Sequence, residues 1–585
     1  MDLRINLKRK GDKLMLLRQD ATKEKLAGRY FTPYNLANYI VEWAISNEIH
    51  MTNILEPSCG DGVFLKSLVE HNIHLECNIK AIEIDEDVSI IANDTTDNSI
   101  RYNNFEDYRS NQQLEHNNGC NIINDDFYKV YRDGLTNERF QVIIGNPPYI
   151  RYQYLDQEQR DEQSIILTNN GMRSNKLINA WVSFVVACVQ MLDDTSRIGL
   201  VIPAELLQVK YADDLRWFLM HSLQRITIVT FDELVFDGVE QEVVLLLGEK
   251  DANHEQEHQL RIVQYKNVEE MVQANDLDEY EFFDVDYNET KWTKYFLSNE
   301  DIHLIDGIRN DNRFVKFNQL ARIEVGITTG NNNYFCVNHQ QVEQYDLEEV
   351  CRPLIARSVN INGIVFTEED WRENIERGAK TYLIDFPDSN IEQYTEGQRN
   401  YIELGERNGE NEGYKCRIRD RWYRIPSVRT SDAFFLRRNY LYPKFMLNSE
   451  EVEAVSTDTM HRITFNNEVD KKRVLLSYYN SISLAFTEIE GRSYGGGVLE
   501  ILPGEVGKII LPDLRDGDLI DDYTVNELIQ IIDNYVRNND DILGILDVVD
   551  RSVLVDILGL SMEDVLEFRN MWLTLRERRL NRGRN

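Results

Sequence analysis

The chain has 585 residues, well beyond the ~250–300 at which a single hydrophobic core stops growing, so two large domains are expected. Hydrophobic residues make up 42% and charged residues 28%, which excludes a disordered or fibrous protein, and no apolar run approaches the ~18 residues of a membrane span, so a cytoplasmic protein without a membrane partner is expected. The net charge of −36, taken as a mean, argues against a nucleic-acid partner, because phosphate binding needs clustered Lys and Arg.

From about Asn53 to Leu247, short β-rich runs alternate with helical patterns, as in a doubly wound α/β sheet. Seven strands are legible: Asn53–Leu55, Ile79–Ile84, Asn121–Ile123, Gln141–Ile144, Ile198–Ile202, Ile226–Thr230 and Val243–Leu247. Apolar residues at three- and four-residue spacing predict helices over Gly62–Glu70, Asp87–Asn93, Asn179–Leu192 and Asp213–Leu223. Phe231–Glu240 is too short for a crossover helix, so the last two strands are expected to form an antiparallel hairpin at the sheet edge. The polar, acidic stretch 251–312 reads as a surface connection. Residues 313–512, with short strands and Gly/Asn turns, read as a second, irregular α/β domain, and 513–585 as a small helical region.

Leu55-Glu56-Pro57-Ser58-Cys59-Gly60-Asp61-Gly62 runs a strand into a glycine loop and then a helix. Glycines let the backbone approach a ligand closely, and the helix presents its first N–H groups there. The segment lacks the Gly-Lys-Ser/Thr of a P-loop, which argues against nucleotide triphosphate hydrolysis. Glu83 ends the next strand, where a Rossmann-like sheet accepts hydrogen bonds from ribose hydroxyls, while Asp85 suits a helix cap. Loop and carboxylate together point to an adenosine-containing cofactor. Asn146-Pro147-Pro148-Tyr149 follows a hydrophobic strand. Its prolines stop the ladder and leave the Pro147 carbonyl as an acceptor, Asn146 adds an amide acceptor, and Tyr149 adds a flat ring. An exocyclic amine has two donors and a planar ring to stack, so this set matches a flipped adenine. The seven cysteines, Cys59, Cys77, Cys120, Cys188, Cys336, Cys351 and Cys416, contain no CxxC pair, and no structural metal is expected.

Asn146–Tyr149, the loop Glu56–Gly62, Glu83, Asn124-Asp125-Asp126-Phe127 and Arg29-Tyr30-Phe31-Thr32-Pro33 together resemble the ordered motifs of γ-class, TaqI-type DNA adenine-N6 methyltransferases of restriction–modification systems, and within them the BseCI type. The likeness covers roughly residues 25–250. It implies a class I methyltransferase domain with a seven-stranded mixed sheet over residues 1–250, and S-adenosyl-L-methionine as cofactor. It also implies cofactor contacts from Tyr30, Thr32, Pro33, Glu56, Pro57, Ser58, Gly60, Glu83, Asp126 and Phe127, with Asp125 beside Asp126 leaving open which carboxylate binds the cofactor adenine. Asn146, Pro147, Pro148 and Tyr149 would form the catalytic set, and Phe184, by its helix position, would stack near the target base. The implied partners are double-stranded DNA and a separate cognate restriction endonuclease, with the enzyme acting as a monomer on DNA. Too few residues precede the Tyr30–Pro33 segment for a fused nuclease.

The local charge supports DNA where the mean does not. Residues 1–29 hold nine Lys/Arg against four Asp/Glu, and 415–444 hold nine against two. The second run interleaves its cations with aromatics, a mixture suited to phosphates and base faces. Arg417, Arg419, Arg421, Trp422, Tyr423, Arg437 and Arg438 are its candidate DNA contacts, with Arg421 the expected base reader because Trp422 and Tyr423 can hold it rigid. Arg492 and Tyr494 join them, because Glu324–Asn332 and Arg492–Gly497 are similar to segments of the family's target-recognition domains. Methylation of a protein glutamine or of RNA is the rival enzyme reading, and a DNA-binding subunit without activity of its own is the rival from another class.

Overall fold

The computed structural model describes residues 31–46, 51–97, 99–112, 118–236, 241–251, 258–287, 291–494 and 496–581, with the backbone alone for Gln112 and Tyr494. Tyr30 and the basic segment 1–29 lie outside the described residues. The chain divides into two compact units at Phe296/Leu297.

The first unit is built on ten strands: β1 (Asn53–Glu56), β2 (Asn78–Ile82), β3 (Ser99–Tyr102), β4 (Gly119–Ile123), β5 (Phe140–Gly145), β6 (Leu192–Pro203), β7 (Arg225–Phe231), β8 (Val243–Asp251), β9 (Gln259–Tyr265) and β10 (Phe283–Asp284). They lie in one sheet in the order β10-β9-β7-β8-β6-β5-β1-β2-β4-β3. From β3 to β6 all pairings are parallel. Parallel strands are covered on both faces, which is why β5 is apolar from Val142 to Gly145 and is buried along its whole length. The helices used below are α1 (Tyr34–Ile45), α2 (Val63–Glu70), α3 (Glu86–Thr95), α4 (Phe127–Asp133), α5 (Gln157–Asn169), α6 (Ala180–Gln190), α7 (Asp213–Ser222) and α8 (Val268–Ala274).

All seven strands expected from the sequence are present, and three more join them. β3 escapes a periodicity reading because it is four residues long and only Tyr102 is buried. The β7–β8 pair is antiparallel as expected, but it does not form the edge: β8 pairs with both β6 and β7, and the sheet continues beyond β7. That continuation is β9, which runs parallel to β7 from Arg225↔Gln259 to Phe231↔Tyr265. The stretch read as a surface connection from residue 251 therefore contributes to the first unit's core. Leu260, Val263, Val268 and Met271 are each at most 6% exposed, and all but Leu260 belong to the cluster that also holds α1. Its acidic residues lie on the exposed face of α8 (Glu269, Glu270) and in the segment after it (Asp278, Glu279, Glu281), and β9 carries none.

The second unit contains a five-stranded sheet in the order Ala321–Val325, Met460–Phe465, Ala433–Leu436, Phe445–Asn448, Val365–Phe366, together with smaller sheets. The C-terminal helices Asp522–Asn538, Ile542–Val549 and Met562–Asn581 lie within the 513–585 region expected to be helical. They are part of this unit rather than an appendage. Phe568 stacks on Phe486 with ring centroids 6.2 Å apart, and the buried Arg579 meets Glu488 through Nη2–Oε1 (2.7 Å) and Nε–Oε2 (3.0 Å).

If β9 and α8 belong to the first unit's core, Met271→Ala, at a side chain with 0% exposure, should destabilise that unit by about 2–5 kcal/mol in urea unfolding. An unchanged midpoint would return the segment to the status of a linker.

Candidate active site

Three strand ends converge where the strand order reverses, between β1 and β5, the position at which open α/β sheets bind ligands. The pairings Leu55↔Ile143 and Glu56↔Ala81 set the ends of β1, β2 and β5 side by side. Their loops enclose a cavity of about 290 Å³. Of the residues expected at the site, Thr32, Glu56, Pro57, Ser58, Gly60, Glu83, Asp126, Phe127, Asn146, Pro148 and Phe184 line it. Pro33 caps α1 beside Thr32, and Pro147 is buried behind the lining.

Each lining group is held by identifiable bonds. Gly62 begins α2 at φ +84, and a Cβ there would lie 3.1 Å from Ala92 Cα, so only glycine lets this loop close against α3. Glu83 Oε2 accepts from the Gly60 amide (3.1 Å) and Oε1 from the Asp85 amide (2.9 Å), which fixes its carboxylate at the cavity wall. Asp85 also caps α3, as expected, accepting from Asp87 N (3.0 Å) and Val88 N (3.2 Å). Ser58 Oγ donates to the Asn146 backbone carbonyl (3.0 Å), joining the β1 and β5 loops. Asn146 Nδ2 donates to Thr32 Oγ1 (3.2 Å), so the donor end of this amide is anchored and Oδ1 is turned the other way.

Glu56 is the exception. Its side chain is fully buried, and neither carboxylate oxygen has a hydrogen-bond partner among the described residues. Burial, with Asp61 and Glu83 nearby, holds its carboxyl well above the usual range, and burial raises Asp61 as well. Glu56, Asp61, Glu83, Asp125 and Asp126 line the cavity, and among the described residues no Lys or Arg does. A buried acceptor pair in an acid-lined cavity suits a cationic ligand with donors of its own.

The two aspartates differ in their partners. Asp125 is ion-paired with Lys129 (3.0 Å) and accepts from the Phe105 amide (3.1 Å). Asp126 caps α4 through Oδ1, accepting from Tyr128 N (2.8 Å) and Lys129 N (3.2 Å), and takes a bond from Gln159 Nε2 to Oδ2 (2.7 Å). Asp125 thus has its charge matched within the fold, whereas Asp126 is met only by neutral donors. Gln159 is a lining residue that the sequence reading missed. Its signal was the capping box of α5, in which Gln159 Oε1 accepts from the Asp156 amide (3.1 Å). Phe31 was missed as well. It is 53% exposed and lies over Gly60 at the cavity mouth.

Two aromatics are held by contacts within the fold. Phe184, on α6, is 5% exposed and stacks on Phe127 at 4.3 Å between ring centroids, so one of its faces is already covered. Tyr149 does not line the cavity. Its hydroxyl donates to the Val201 carbonyl on β6 (3.0 Å), and its ring packs partly against the sheet's core.

The expected DNA contacts in the second unit fare unevenly. Tyr423 is 8% exposed and packs edge-on to Phe386 and Tyr394, and Trp422 packs on Tyr334 with its Nε1 donating to Glu406 (3.1 Å). Tyr423 belongs to the core of this region, and the half-buried Trp422 packs against it. Arg421 pairs with Asp388 (3.2 Å) and donates to the Ser389 carbonyl, which removes it as a free base reader. Arg437 and Arg438 share Glu500 (3.0 and 3.3 Å), and Arg492 pairs with Glu505 (2.7 Å). Arg417 is exposed. The side chain of Tyr494 lies outside the described residues.

Residues 63–236 match the family described as Eco57I restriction-modification methylase, and residues 289–554 match that described as type II methyltransferase M.Eco57I, C-terminal domain. The chain is 24% identical over 550 residues to the type II methyltransferase M.AccI of Acinetobacter calcoaceticus, covering 89% of this chain and 93% of that protein. It is 28% identical over 238 residues to M.HincII of Haemophilus influenzae, covering 40% of this chain and 39% of that one. Among solved structures, the type IIL restriction-modification enzyme MmeI in complex with DNA is similar at a TM-score of 0.52 and 12% identity, over 93% of this chain and 75% of that one.

A carboxyl whose folded-state pKa is raised stabilises the fold below its ordinary range, and that contribution is lost as pH rises toward the raised value. In ligand-free protein, Glu56→Gln should therefore shift Tm upward relative to wild type by more at pH 8 than at pH 5.5. A difference independent of pH would show that Glu56 is ionised throughout.

Proposed function

We propose, from the premise that the chain belongs with the type II restriction–modification methyltransferases, that it methylates N6 of an adenine flipped out of double-stranded DNA. The methyl donor is S-adenosylmethionine, and the chain acts as the modification enzyme, a monomer on DNA, alongside a separate endonuclease. The observation that carries this reading is the anchored amide of Asn146 beside an acid-lined cavity. S-adenosylmethionine supplies an electrophilic methyl group on a sulfonium and carries an ammonium group, so its positive charges suit a cavity lined by five carboxylates.

The chain's own residues then divide the work. Glu83 accepts from the ribose hydroxyls, and the uncompensated carboxyl of Glu56 faces the cationic end. Asp126 takes the adenine amine of the cofactor in preference to Asp125, whose charge Lys129 already matches. Phe127, backed by Phe184, packs on the adenine ring, so Phe184 supports the cofactor rather than the target base. Transfer to an amine is an in-line displacement that needs alignment more than acid–base chemistry. The N6 lone pair of adenine is delocalised into its ring. Asn146 Oδ1 and the Pro147 carbonyl accept its two hydrogens, favour tetrahedral geometry and stabilise the positive charge that develops there. Tyr149, with its hydroxyl tied to Val201, offers the extruded base a ring fixed in orientation, which offsets part of the lost stacking.

The direct test is incubation of purified chain with duplex DNA and labelled cofactor, followed by nucleoside analysis. N6-methyladenine is expected, and methylcytosine as the sole product would overturn the reading. Asn146→Ala should cut single-turnover methylation ~10²-fold while cofactor affinity stays near wild type, as loss of a transition-state hydrogen-bond partner does. Glu83→Ala should do the reverse, weakening cofactor binding by about 1.5–3 kcal/mol, and calorimetry with each variant distinguishes the two roles.

A further inference from the structure

We propose that a basic hollow in the second unit grips the phosphodiester backbone of duplex DNA without reading sequence; this rests on the DNA-methylating function proposed above. The hollow is about 480 Å³ and is lined by Thr328, Lys415, Arg419, Asp420, Arg421 and Arg424, among others. One wall is the loop after Gly326, and the other is the short helix Tyr414–Arg417 with the turn that follows it. Arg419 Nη2 locks the two walls together by donating to the carbonyls of Thr329 (2.7 Å) and Thr328 (3.3 Å). Gly330 lies against the short helix, where a Cβ would come within 2.7 Å of Lys415 Cβ. On the far side of the loop, Lys380 Nζ donates to the Asn333 carbonyl (3.0 Å).

Its charge is unusual for this chain. Many basic side chains of the second unit are paired with carboxylates, as in Arg492–Glu505, Arg569–Asp550 and Arg579–Glu488. Around the hollow, Arg421 and Arg424 share the single exposed Asp388 (3.2 and 2.9 Å), and Lys415 and Arg417 are exposed with no acidic partner among the described residues. Four cations, Lys415, Arg419, Arg421 and Arg424, thus line the hollow with one carboxylate, Asp420, in a protein of net charge −36. Of the lining arginines, Arg419 and Arg421 already spend donors on backbone carbonyls and Arg424 on Asp388. What remains is positive charge in a concave seat, which suits phosphate and carries no base preference.

The test uses the full chain with Lys415→Gln, Arg417→Gln and Arg424→Gln combined, three positions that leave the Arg419 lock intact. Binding is followed by fluorescence anisotropy, between 50 and 200 mM salt, on a duplex that the wild type methylates and on a random duplex. Affinity should fall about tenfold or more, by the same factor on both, and the slope of log K against log salt should shrink by about 0.9 per lost contact. Affinity for S-adenosylmethionine should not change, and Lys415→Arg alone should bind as wild type. Wild-type affinity and slope in the triple variant would overturn the hollow while leaving DNA methylation standing, as would a loss confined to one sequence. A wild-type chain that binds no duplex would overturn the functional reading and the hollow with it.

Discussion

Burying a carboxyl without a partner is costly, and this molecule does so at the end of its central strand. Glu56 closes β1 with no exposed surface, between β2 and β5. The features around it serve to keep that carboxyl dry and aimed. The parallel order brings three strand ends together. Gly145 leaves β5 at φ +151, where a Cβ would lie 3.5 Å from Glu56 Cγ. Glu83 binds the Gly60 and Asp85 amides, so the loops after β1 and β2 cannot move independently. The same carboxyl that weakens the empty fold is the group best placed to reward a cationic ligand, a trade of stability for binding that is common at functional sites.

The second unit treats charge in the opposite way. Many of its cations are consumed by internal pairs, some fully buried, such as Arg579 with Glu488. A strongly acidic chain can still meet DNA, because attraction to phosphate is set by the charges within a Debye length of it and not by the molecular total. In such a protein the exceptions to internal pairing say more about a polyanionic partner than the sum of Lys and Arg over a window does.

Much of the first unit was legible because its signals are physical requirements. Gly60 and Gly62, the acid at Glu83 and the prolines after β5 have few other uses in that order: Gly60, Glu83 and Pro148 line the cavity, and Gly62 closes its loop against α3. β9 and α8 were not legible, since the acids of α8 and of the segment after it gave the window an acidic mean that hid Val263, Val268 and Met271. Asp125 and Asp126 could not be ranked from sequence, because the difference lies in Lys129, one turn along α4 from Asp125. The run 415–444 misled for a related reason. Composition shows that arginines and aromatics are neighbours but not which way each points: Tyr423, Phe434 and Phe435 turn inward to form core, and the half-buried Trp422 packs against it. Trp422 packs where Gly405 leaves room, a Cβ there falling 2.3 Å from its ring, and only the fold reveals that fit.

The account depends most on the claim that the acid-lined cavity receives a cationic cofactor against Glu56. Calorimetric titration of S-adenosylmethionine at pH 6.5, in buffers of different ionisation enthalpy, measures the protons exchanged on binding. At that pH the ligand's amino group is already protonated. If Glu56 is held neutral in the empty cavity and ionises beside the ligand's positive charge, binding should release protons in wild type and release measurably fewer in Glu56→Gln. Binding with no proton release in wild type, or with the same release in both proteins, would contradict the account.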